Sequence, residues 1–368
     1  MYPRPQSPER FGFEKILYTK GPGWARVTIN RPEVLNALDF QTLTEMATAF
    51  QDASWDDAVG VLVLTGAGDR AFCTGADLRE QERFLERPRD YWKWMGAFIE
   101  ANERLRNLGK PTIARLNGMV VGGGNEFNLA CDLAVAADDI LLQHVGPARG
   151  SVPAAGATQW MPLLVGDRRA REVLFLCEPY TAQQALAWGW VNQVVPRAEL
   201  DAAVDALIAK LLAKLPEVTR YTKQQLNFWR DLSWHLTVGH ARDWLTLHAG
   251  APETQEGLEA FRAKRPPDYA AIRRRLAAGA STEYPWGPAT RTCPHCGAAR
   301  LPQGFAYCGR CGHPLPPPGE GSGTGAGSAG GPPGAGSAGG LPGAGSPGGP
   351  PGAGWAGGAP PGPASPPA

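Results

Sequence analysis

The chain has 368 residues, a formal net charge of +1 and 43% hydrophobic residues. This near-neutral balance gives no electrostatic footprint for nucleic acid or for an acidic membrane surface. No stretch approaches the roughly 18 apolar residues of a membrane span, and the N-terminal MYPRPQSPERFG lacks the apolar centre of a signal peptide. We therefore expect a cytoplasmic protein that binds neither membrane nor nucleic acid.

Three strand patterns follow one another in the N-terminal third, at Ala25–Ile29, Val59–Thr65 and Thr112–Leu116. An Asn-Arg-Pro turn follows the first strand. The segment after that turn carries apolar residues at helical spacing, Leu43, Met46, Ala47 and Phe50. Strands alternating with helices in this order predict an α/β protein with crossover connections.

The second and third strands lead into glycine-rich loops, CTGADL and VVGGGNEF. After the second loop we expect a helix that starts near Glu126 and bears an apolar series, Phe127, Leu129, Ala130, Leu133 and Ala134. Backbone N–H groups at such a helix start favour negative charge. If the fold sets the loops side by side, the N–H groups near Ala76 and Gly123 form a paired-donor hole for a carbonyl oxygen that becomes negative.

A long helical pattern lies towards the C-terminal side, in QLNFWRDLSWHLTVGHARDWLTLH. Its histidines, His235, His240 and His248, lack the i, i+4 spacing of a helical zinc pair. Its tryptophans, Trp229, Trp234 and Trp244, are typical of a core or a subunit interface. The run from Arg273 to Arg275 is interpreted as a solvated helix face.

The seven cysteines divide into two sets. Cys73, Cys131 and Cys177 stand among apolar neighbours and are expected to be small core residues. The second set forms two CxxC turns, each followed by a glycine, in CPHCG and CGRCG, with the thiols Cys293, Cys296, Cys308 and Cys311. Four thiolates on two turns match the closed tetrahedral shell of structural zinc, so we predict a metal-dependent zinc ribbon at about residues 291–314. Disulfides or idle thiols are the alternatives.

The remaining C-terminal residues, 315–368, are almost entirely Gly, Pro, Ala and Ser. Such a composition cannot bury enough apolar surface to offset the entropy of ordering. We predict a disordered tail, in which the isolated Leu341 and Trp355 change nothing.

The region between about Ile16 and Tyr269 contains a series of segments in a fixed order: INRPEVLNAL, AFCTGADL, NGMVVGGGNEFNLACDLAVAADD, GSVPAAGATQWMPLLVG, AWGWVNQVVP and EGLEAFRAKRP. This ordered set resembles the enoyl-CoA hydratase/isomerase (crotonase) superfamily. The resemblance implies a superhelix of ββα repeats over residues 1–285, with a helical C-terminal segment at about 198–280. It also implies an acyl-CoA substrate, no redox cofactor, and a homotrimer or dimer of trimers.

The resemblance also implies roles for individual residues. The thioester oxygen would be held by the N–H groups of Ala76 and Gly123, with Gly122 and Asp77 among the substrate-binding residues. Glu126 matches the first of two acidic residues that the family's hydratases use around the water and the α-carbon. The alternative interpretation is that Glu126 has no catalytic role and only complements the helix dipole.

The chain departs from the hydratase pattern in HVGPARGSVP, where the position of the second Glu falls on Gly146. The pattern GPxxGS is similar to two branches that act on cyclic acyl-CoAs, and the oxocyclohexene-carbonyl-CoA ring hydrolases resemble this chain better. A small residue at 146 would leave room for a ring. His144 is our first choice for a second catalytic group, with Asp77, Glu80 and Arg149 as alternatives.

Three functions remain open at this point. The first is addition of water to an unsaturated, linear or cyclic, acyl-CoA. The second is double-bond isomerisation by a single acid/base Glu126. The third is a non-catalytic CoA-binding scaffold that recruits a protein partner through the zinc ribbon. Intact Glu126 and both glycine loops argue against the third.

Overall fold

The computed structural model describes residues 5–153, 155–249, 251–279, 290–298, 301–302 and 304–316. The chain divides into two units, Met1–Trp286 and Gly287–Ala368. The division falls in the interval between the predicted acyl-CoA domain and the predicted ribbon. Most of the predicted disordered tail, residues 317–368, lies outside the described residues, as do Leu341 and Trp355.

The first unit contains a large sheet and a small one. The large sheet has the order β1-β2-β3-β5-β7-β10 and the small sheet the order β4-β6-β8-β9. The strands are β1 (Ile16–Gly21), β2 (Gly23–Ile29), β3 (Val59–Gly66), β4 (Ala71–Cys73), β5 (Thr112–Leu116), β6 (Met119–Val121), β7 (Leu133–Ala137), β8 (Leu141–Gln143), β9 (Tyr180–Thr181) and β10 (Gln193–Val195).

Eleven α-helices are described in this unit. They are α1 (Phe40–Trp55), α2 (Leu78–Glu86), α3 (Pro88–Arg106), α4 (Gly123–Ala130), α5 (Ala157–Val165), α6 (Asp167–Leu176), α7 (Ala182–Ala187), α8 (Leu200–Leu212), α9 (Pro216–His248), α10 (Pro252–Arg262) and α11 (Tyr269–Ala277). Short 3₁₀ turns lie at Pro8–Phe11, Pro32–Val34, Pro147–Arg149 and Arg197–Glu199.

The large sheet is parallel from β2 to β10, and β1 adds an antiparallel hairpin at its edge. Its central strand β3, with the sequence VGVLVLTG, is buried along nearly its whole length. Continuous burial is what a parallel strand covered on both faces requires, and it explains the unbroken apolar run in the sequence. The predicted α/β class with crossover connections is therefore confirmed.

A repeated order of elements builds the two sheets together. A strand of the large sheet is followed by a short strand of the small sheet and then by a helix, as in β3-β4-α2 and β5-β6-α4. Strands β4, β6 and β8 pair in parallel, so their carboxyl ends lie along one edge of the small sheet. The loops after these strands therefore meet at that edge, where α/β sheets bind ligands.

The predicted N-terminal elements are present at nearly the predicted positions. Helix α1 carries the predicted apolar face, and its N-cap Asp39 accepts a hydrogen bond from the Thr42 N–H at 2.8 Å. The helix predicted after the glycine loop is correct in kind but wrong in extent. It begins at Gly123 and ends at Ala130, whereas Leu133 and Ala134 belong to β7. Sequence spacing alone did not separate a short buried helix from the buried strand that follows.

The C-terminal helical pattern corresponds to α9, a helix of 33 residues. Trp234 is fully buried and stacks on Trp160 with 4.8 Å between ring centroids, whereas Trp229 and Trp244 are exposed. The run Arg273–Arg275 lies on the exposed face of α11, as predicted. The core cysteines Cys73, Cys131 and Cys177 are buried and free. Among the described residues, no helix combines the length and the apolarity needed to cross a membrane.

The second unit contains a small antiparallel pair, β11 (Thr290–Arg291) with β12 (Leu301–Pro302). Each CxxC turn closes on a backbone hydrogen bond, from Gly297 to Cys293 at 3.0 Å and from Gly312 to Cys308 at 2.8 Å. Both glycines have positive φ, 70° and 71°, which an L side chain rarely adopts. These glycines therefore allow the backbone bend that ends each CxxC turn.

Candidate active site

The loops after β4 and β6 lie side by side. Gly75 has a φ of 87°, and a Cβ added to it would lie 2.8 Å from the backbone nitrogen of Gly123. A Cβ added to Gly124 would lie 2.1 Å from the carbonyl oxygen of Cys73. Glycine at these positions therefore lets the start of α4 approach the β4 loop closely, because any side chain would push the two backbones apart.

The β4 loop is held in place from the other side by Leu38. The Leu38 N–H donates to the Gly75 carbonyl at 2.8 Å, and the Asp77 N–H donates to the Leu38 carbonyl at 2.9 Å. The N–H of Ala76, between these two bonds, has no acceptor within the described part of the chain, and neither has the N–H of Gly123 at the first position of α4. Both unpaired donors therefore belong to adjoining loops.

Asp77 serves the β4 loop structurally. One carboxylate oxygen caps α2 by accepting from the Arg79 N–H at 3.0 Å, and the other accepts from the Arg31 guanidinium at 2.8 Å. Both oxygens are thus engaged by protein groups. This geometry agrees with an anchoring role for Asp77 beside Ala76.

Glu126 lies in the first turn of α4 and is buried. Its Oε1 accepts hydrogen bonds from the Ala155 and Ala157 N–H groups, at 2.8 and 3.2 Å, at the start of α5. No described residue is bonded to its second oxygen, Oε2. Burial raises the pKa of Glu126 to about 7, against the lowering effect of the two N–H groups. Near neutral pH this carboxyl can therefore both accept and donate a proton.

A cavity of about 730 Å³ joins these groups. Ala76, Gly123 and Glu126 line it, together with residues of the 144–153 loop and of α10. Helices α9 and α10 also line the cavity, and Thr254 joins α10 to this loop by donating to the Gly150 carbonyl at 2.7 Å. Its volume lies within the range of small-molecule sites.

One wall of the cavity is a ladder of aromatic rings on α2 and α3. Phe84 stacks on Tyr91 at 5.0 Å, Tyr91 lies 6.1 Å from Trp94, and Trp94 stacks on Phe98 at 5.3 Å. All four rings line the cavity. This wall could not be predicted from the sequence, since apolar residues that line a cavity have the same helical spacing as residues that fill a core.

His144 lines the same cavity and is buried. Its Nδ1 has no hydrogen-bond partner among the described residues, and burial lowers its pKa to about 4. The imidazole is therefore neutral at pH 7. It can donate one hydrogen bond and accept another.

The loop that carries Gly146 folds back on itself. A Cβ at Gly146 would lie 3.0 Å from the Ser151 carbonyl oxygen and 3.3 Å from the Pro153 nitrogen. A carboxylate side chain at this position would thus require the loop to move. Gly146 lines the cavity and contributes no acid to it.

The remaining candidates for a second polar group differ in position. Arg149 lines the cavity, with its guanidinium 4.9 Å from the centre of the Phe261 ring. Glu80 is not among the cavity-lining residues, and its carboxylate accepts from the Phe40 N–H at 2.9 Å. The geometry therefore favours His144 and Arg149 over Glu80.

The four cysteine sulfurs of the second unit lie within 4.8 Å of one another. Cys293 and Cys311 are 3.8 Å apart at sulfur, and Cys296 and Cys308 are 3.6 Å apart. A zinc ion with bonds of about 2.3 Å to four sulfurs places them about 3.8 Å apart, whereas a disulfide needs about 2.05 Å. The cluster therefore fits zinc in geometry and in donor type, and it does not fit disulfides.

The enoyl-CoA hydratase/isomerase family profile matches residues 19–272, and the chain belongs to that family. The match includes every residue of the cleft described above and ends before the cysteine cluster. The fold of residues up to about 272 is accordingly the family's α/β fold, and the family acts on CoA thioesters without a redox cofactor.

Several solved structures are similar over this region. An enoyl-CoA hydratase from Mycobacterium avium subsp. paratuberculosis K-10 is 29% identical with a TM-score of 0.64, covering 69% of this chain and 98% of that one. An enoyl-CoA hydratase/isomerase from Xanthobacter autotrophicus Py2 is 29% identical with a TM-score of 0.62, covering 72% and 98%. A carnitinyl-CoA hydratase from Mycobacterium avium is 29% identical with a TM-score of 0.61, covering 70% and 98%.

Proposed function

We propose that this protein adds water to the double bond of an unsaturated acyl-CoA. The observation that carries the proposal is the close approach of the Gly75 and Gly123 loops, with the buried carboxyl of Glu126 in the same cavity. Two unpaired N–H donors and one carboxyl that titrates near pH 7 are the groups this reaction needs. Asp77 and Gly122 belong to the proposed substrate-binding surface.

In the proposed reaction the thioester oxygen accepts hydrogen bonds from the N–H groups of Ala76 and Gly123. Ionised Glu126 takes a proton from water as the water oxygen bonds to the β-carbon, and the π electrons move to the thioester oxygen. The protonated Glu126 then returns the proton to the α-carbon. The two N–H groups stabilise the negative charge that develops on the thioester oxygen. One such donor contributes about 10²- to 10³-fold in rate.

A cyclic unsaturated acyl group is the second candidate substrate, as for a ring hydrolase. The aromatic wall from Phe84 to Phe98 suits a flat ring, and the second carboxylate of the two-acid pattern is absent at Gly146. Ring opening needs a further polar group near the water. We propose His144, which is neutral and lines the cavity, for that position.

The second unit is proposed to bind one structural zinc ion through Cys293, Cys296, Cys308 and Cys311. A closed shell of four sulfurs leaves no open position for catalysis. The ribbon would then serve stability or contact with a protein partner.

We also propose that the chain assembles as a trimer or a dimer of trimers. Large apolar side chains are exposed on α6, including Phe175 at 67%, and on α9, including Trp229 at 65%. Surfaces of this kind on one chain are typical of subunit contacts. Light scattering on the purified protein gives the subunit number directly.

The test is an assay of purified protein against linear enoyl-CoAs and cyclic dienoyl-CoAs, with products followed by mass. We expect a gain of one water on linear substrates, or of two waters on a ring that opens. The Glu126→Gln variant should lose the activity while binding CoA normally. A shift of the double bond without mass gain would support the isomerase alternative instead. Tight CoA binding with no conversion of any substrate would support a binding-only scaffold.

A further inference from the structure

Tyr91 lies in the cavity at a fixed orientation. Its side chain is 7% exposed, and its ring is stacked on Phe84 with an angle of 8° between the planes. Trp94 contacts it from the next turn of α3, at 6.1 Å between centroids. Because both neighbours are large and buried, the ring cannot swing, and the hydroxyl keeps one position along the cavity wall.

The phenol of Tyr91 shares the cavity with the hydroxyl of Ser151 and the carboxyl of Glu126. Burial raises the pKa of Tyr91 to about 12; the Ser151 side chain lowers it by hydrogen bonding, and the charge of Glu126 raises it. Tyr91 is therefore a neutral phenol near the carboxylate. Ser151 and Glu126 both line the cavity with it.

The residue that could supply a second carboxylate, Gly146, has no side chain, and its backbone is packed against Ser151. The hydroxyl-bearing residues Tyr91 and Ser151 line the same cavity as Gly146, where no second carboxylate is present. We propose that the hydroxyls of Tyr91 and Ser151 together hold the attacking water against Glu126. This inference rests on the hydration proposed above.

The two hydroxyls complete the hydrogen bonding of the water. The phenol oxygen of Tyr91 accepts one hydrogen of the water, and Glu126 accepts the other as a proton when the oxygen bonds to the β-carbon. Ser151 fixes the phenol by a hydrogen bond, since each hydroxyl can donate and accept. No net proton passes through Tyr91 or Ser151, and the proton taken by Glu126 ends on the α-carbon.

Two reactions of the same site separate this role from a structural one. Hydration of a linear enoyl-CoA needs the water, whereas exchange of the α-protons of a saturated acyl-CoA in D₂O needs only Glu126 and the two N–H donors. We expect Tyr91→Phe and Ser151→Ala each to lower kcat for hydration about 10-fold, the effect of losing one hydrogen bond between neutral groups. The α-proton exchange rate and KM should stay near wild-type values.

Tyr18→Phe is the matched control, because Tyr18 is also buried but its hydroxyl donates to Asp52, outside the cavity. It should hydrate like wild type. The double variant of Tyr91 and Ser151 should be little slower than either single variant, as for residues that act as one unit. Unchanged hydration in Tyr91→Phe, or an equal fall in hydration and exchange, would overturn the inference. A wild-type protein that neither hydrates nor exchanges would instead refute the proposed function.

Discussion

The cleft and the cysteine cluster hold their functional groups in opposite ways. In the cleft, a large core positions two backbone amides and one carboxyl, and burial raises the pKa of Glu126 to about 7. In the second unit the buried core of the described residues is Cys293, Cys308 and Leu315. Packing thus sets the properties of the first site, whereas the second unit has so small a core that the proposed zinc would have to supply its folding energy.

Cysteine itself shows the contrast. Cys73 lies beside the β4 loop among apolar atoms, and burial raises the pKa of its thiol to about 12. It is a packing residue. Cys293 is also buried, but its sulfur lies 3.8 Å from that of Cys311. The environment of a cysteine therefore determines its role: Cys73 packs in a core, whereas Cys293 belongs to a cluster of four thiols.

The largest expected effect is loss of the proposed zinc. Replacing Cys293 and Cys296 by Ser should abolish zinc binding and the fold of the ribbon, because structural zinc supplies roughly 10–16 kcal/mol to such units. Zinc content by mass spectrometry measures the first, and protease resistance of residues 290–316 measures the second. The Cys131→Ala variant, a buried thiol outside the cluster, should keep its zinc. Full zinc content in the double Ser variant would refute the assignment.

The next effect tests the cleft through one glycine. Gly75→Ala places a methyl group 2.8 Å from the Gly123 nitrogen and should separate the two loops. We expect kcat/KM for hydration to fall about 10²- to 10³-fold, as for loss of one oxyanion donor. Steady-state kinetics on a linear enoyl-CoA measures the loss.

Gly68→Ala is the matched control for that variant. Gly68 has a similar φ of 76°, but its added Cβ would have no atom nearer than 3.8 Å. Both variants carry the backbone strain of a side chain at positive φ, about 1 kcal/mol or more. If Gly68→Ala slowed hydration as much as Gly75→Ala, the approach of the two loops would not be the reason for activity.

The pH dependence tests the claim that packing sets the chemistry of Glu126. The pKa is raised from 4.5 to about 7, so the folded state binds this proton more tightly than the unfolded state does. The resulting stability is fully present below pH 4.5 and is lost as the pH rises through about 7. Hydration should follow the ionised form and decline below about pH 7.

The raised pKa of Glu126 can also be measured through the stability of the Glu126→Gln variant. The variant lacks the buried charge, so its free energy of unfolding relative to wild type should increase between pH 4.5 and pH 7, by on the order of 3 kcal/mol. Denaturant unfolding at several pH values gives this difference. A difference independent of pH would show that Glu126 titrates like an exposed carboxyl.

The smallest effect concerns Asp77, which caps α2 and pairs with Arg31. Asp77→Ala should cost about 0.5–2 kcal/mol of stability as a lost cap and should also slow hydration, since the β4 loop loses its anchor. Asp268→Ala removes another N-cap, whose side chain accepts from the Ala271 N–H at 2.9 Å, and should leave hydration unchanged. Melting temperatures and kcat distinguish the two. Equal kcat in both variants would contradict the anchoring role.

Much of the cleft could be predicted because its critical groups are backbone atoms marked by glycine. The loops CTGAD and GGGNE are recognisable by their glycines. The long strands predicted before them, Val59–Thr65 and Thr112–Leu116, agree with β3 (Val59–Gly66) and β5 (Thr112–Leu116). The short strands of the small sheet were not predicted. Three residues such as Ala71–Cys73 are too few to establish a period of two.

The aromatic wall and Tyr91 could not be recognised for a different reason. Phe84, Tyr91 and Trp94 face a cavity, but their spacing on a helix is that of a core-facing stripe. Only the packing of α2 and α3 around empty space separates the two cases. The clustering of the four cysteines, by contrast, could be predicted, because the spacing of two CxxC turns brings their thiols together within a few residues.

The most direct measurement is the carbonyl stretching frequency of an isotope-labelled enoyl-CoA thioester bound to the Glu126→Gln variant, compared with the same thioester in water. Two N–H donors aimed at the oxygen should weaken the C=O bond and lower its frequency. Adding Gly75→Ala should return it towards the value in water. A bound frequency equal to that in water, or one unaffected by Gly75→Ala, would contradict the account.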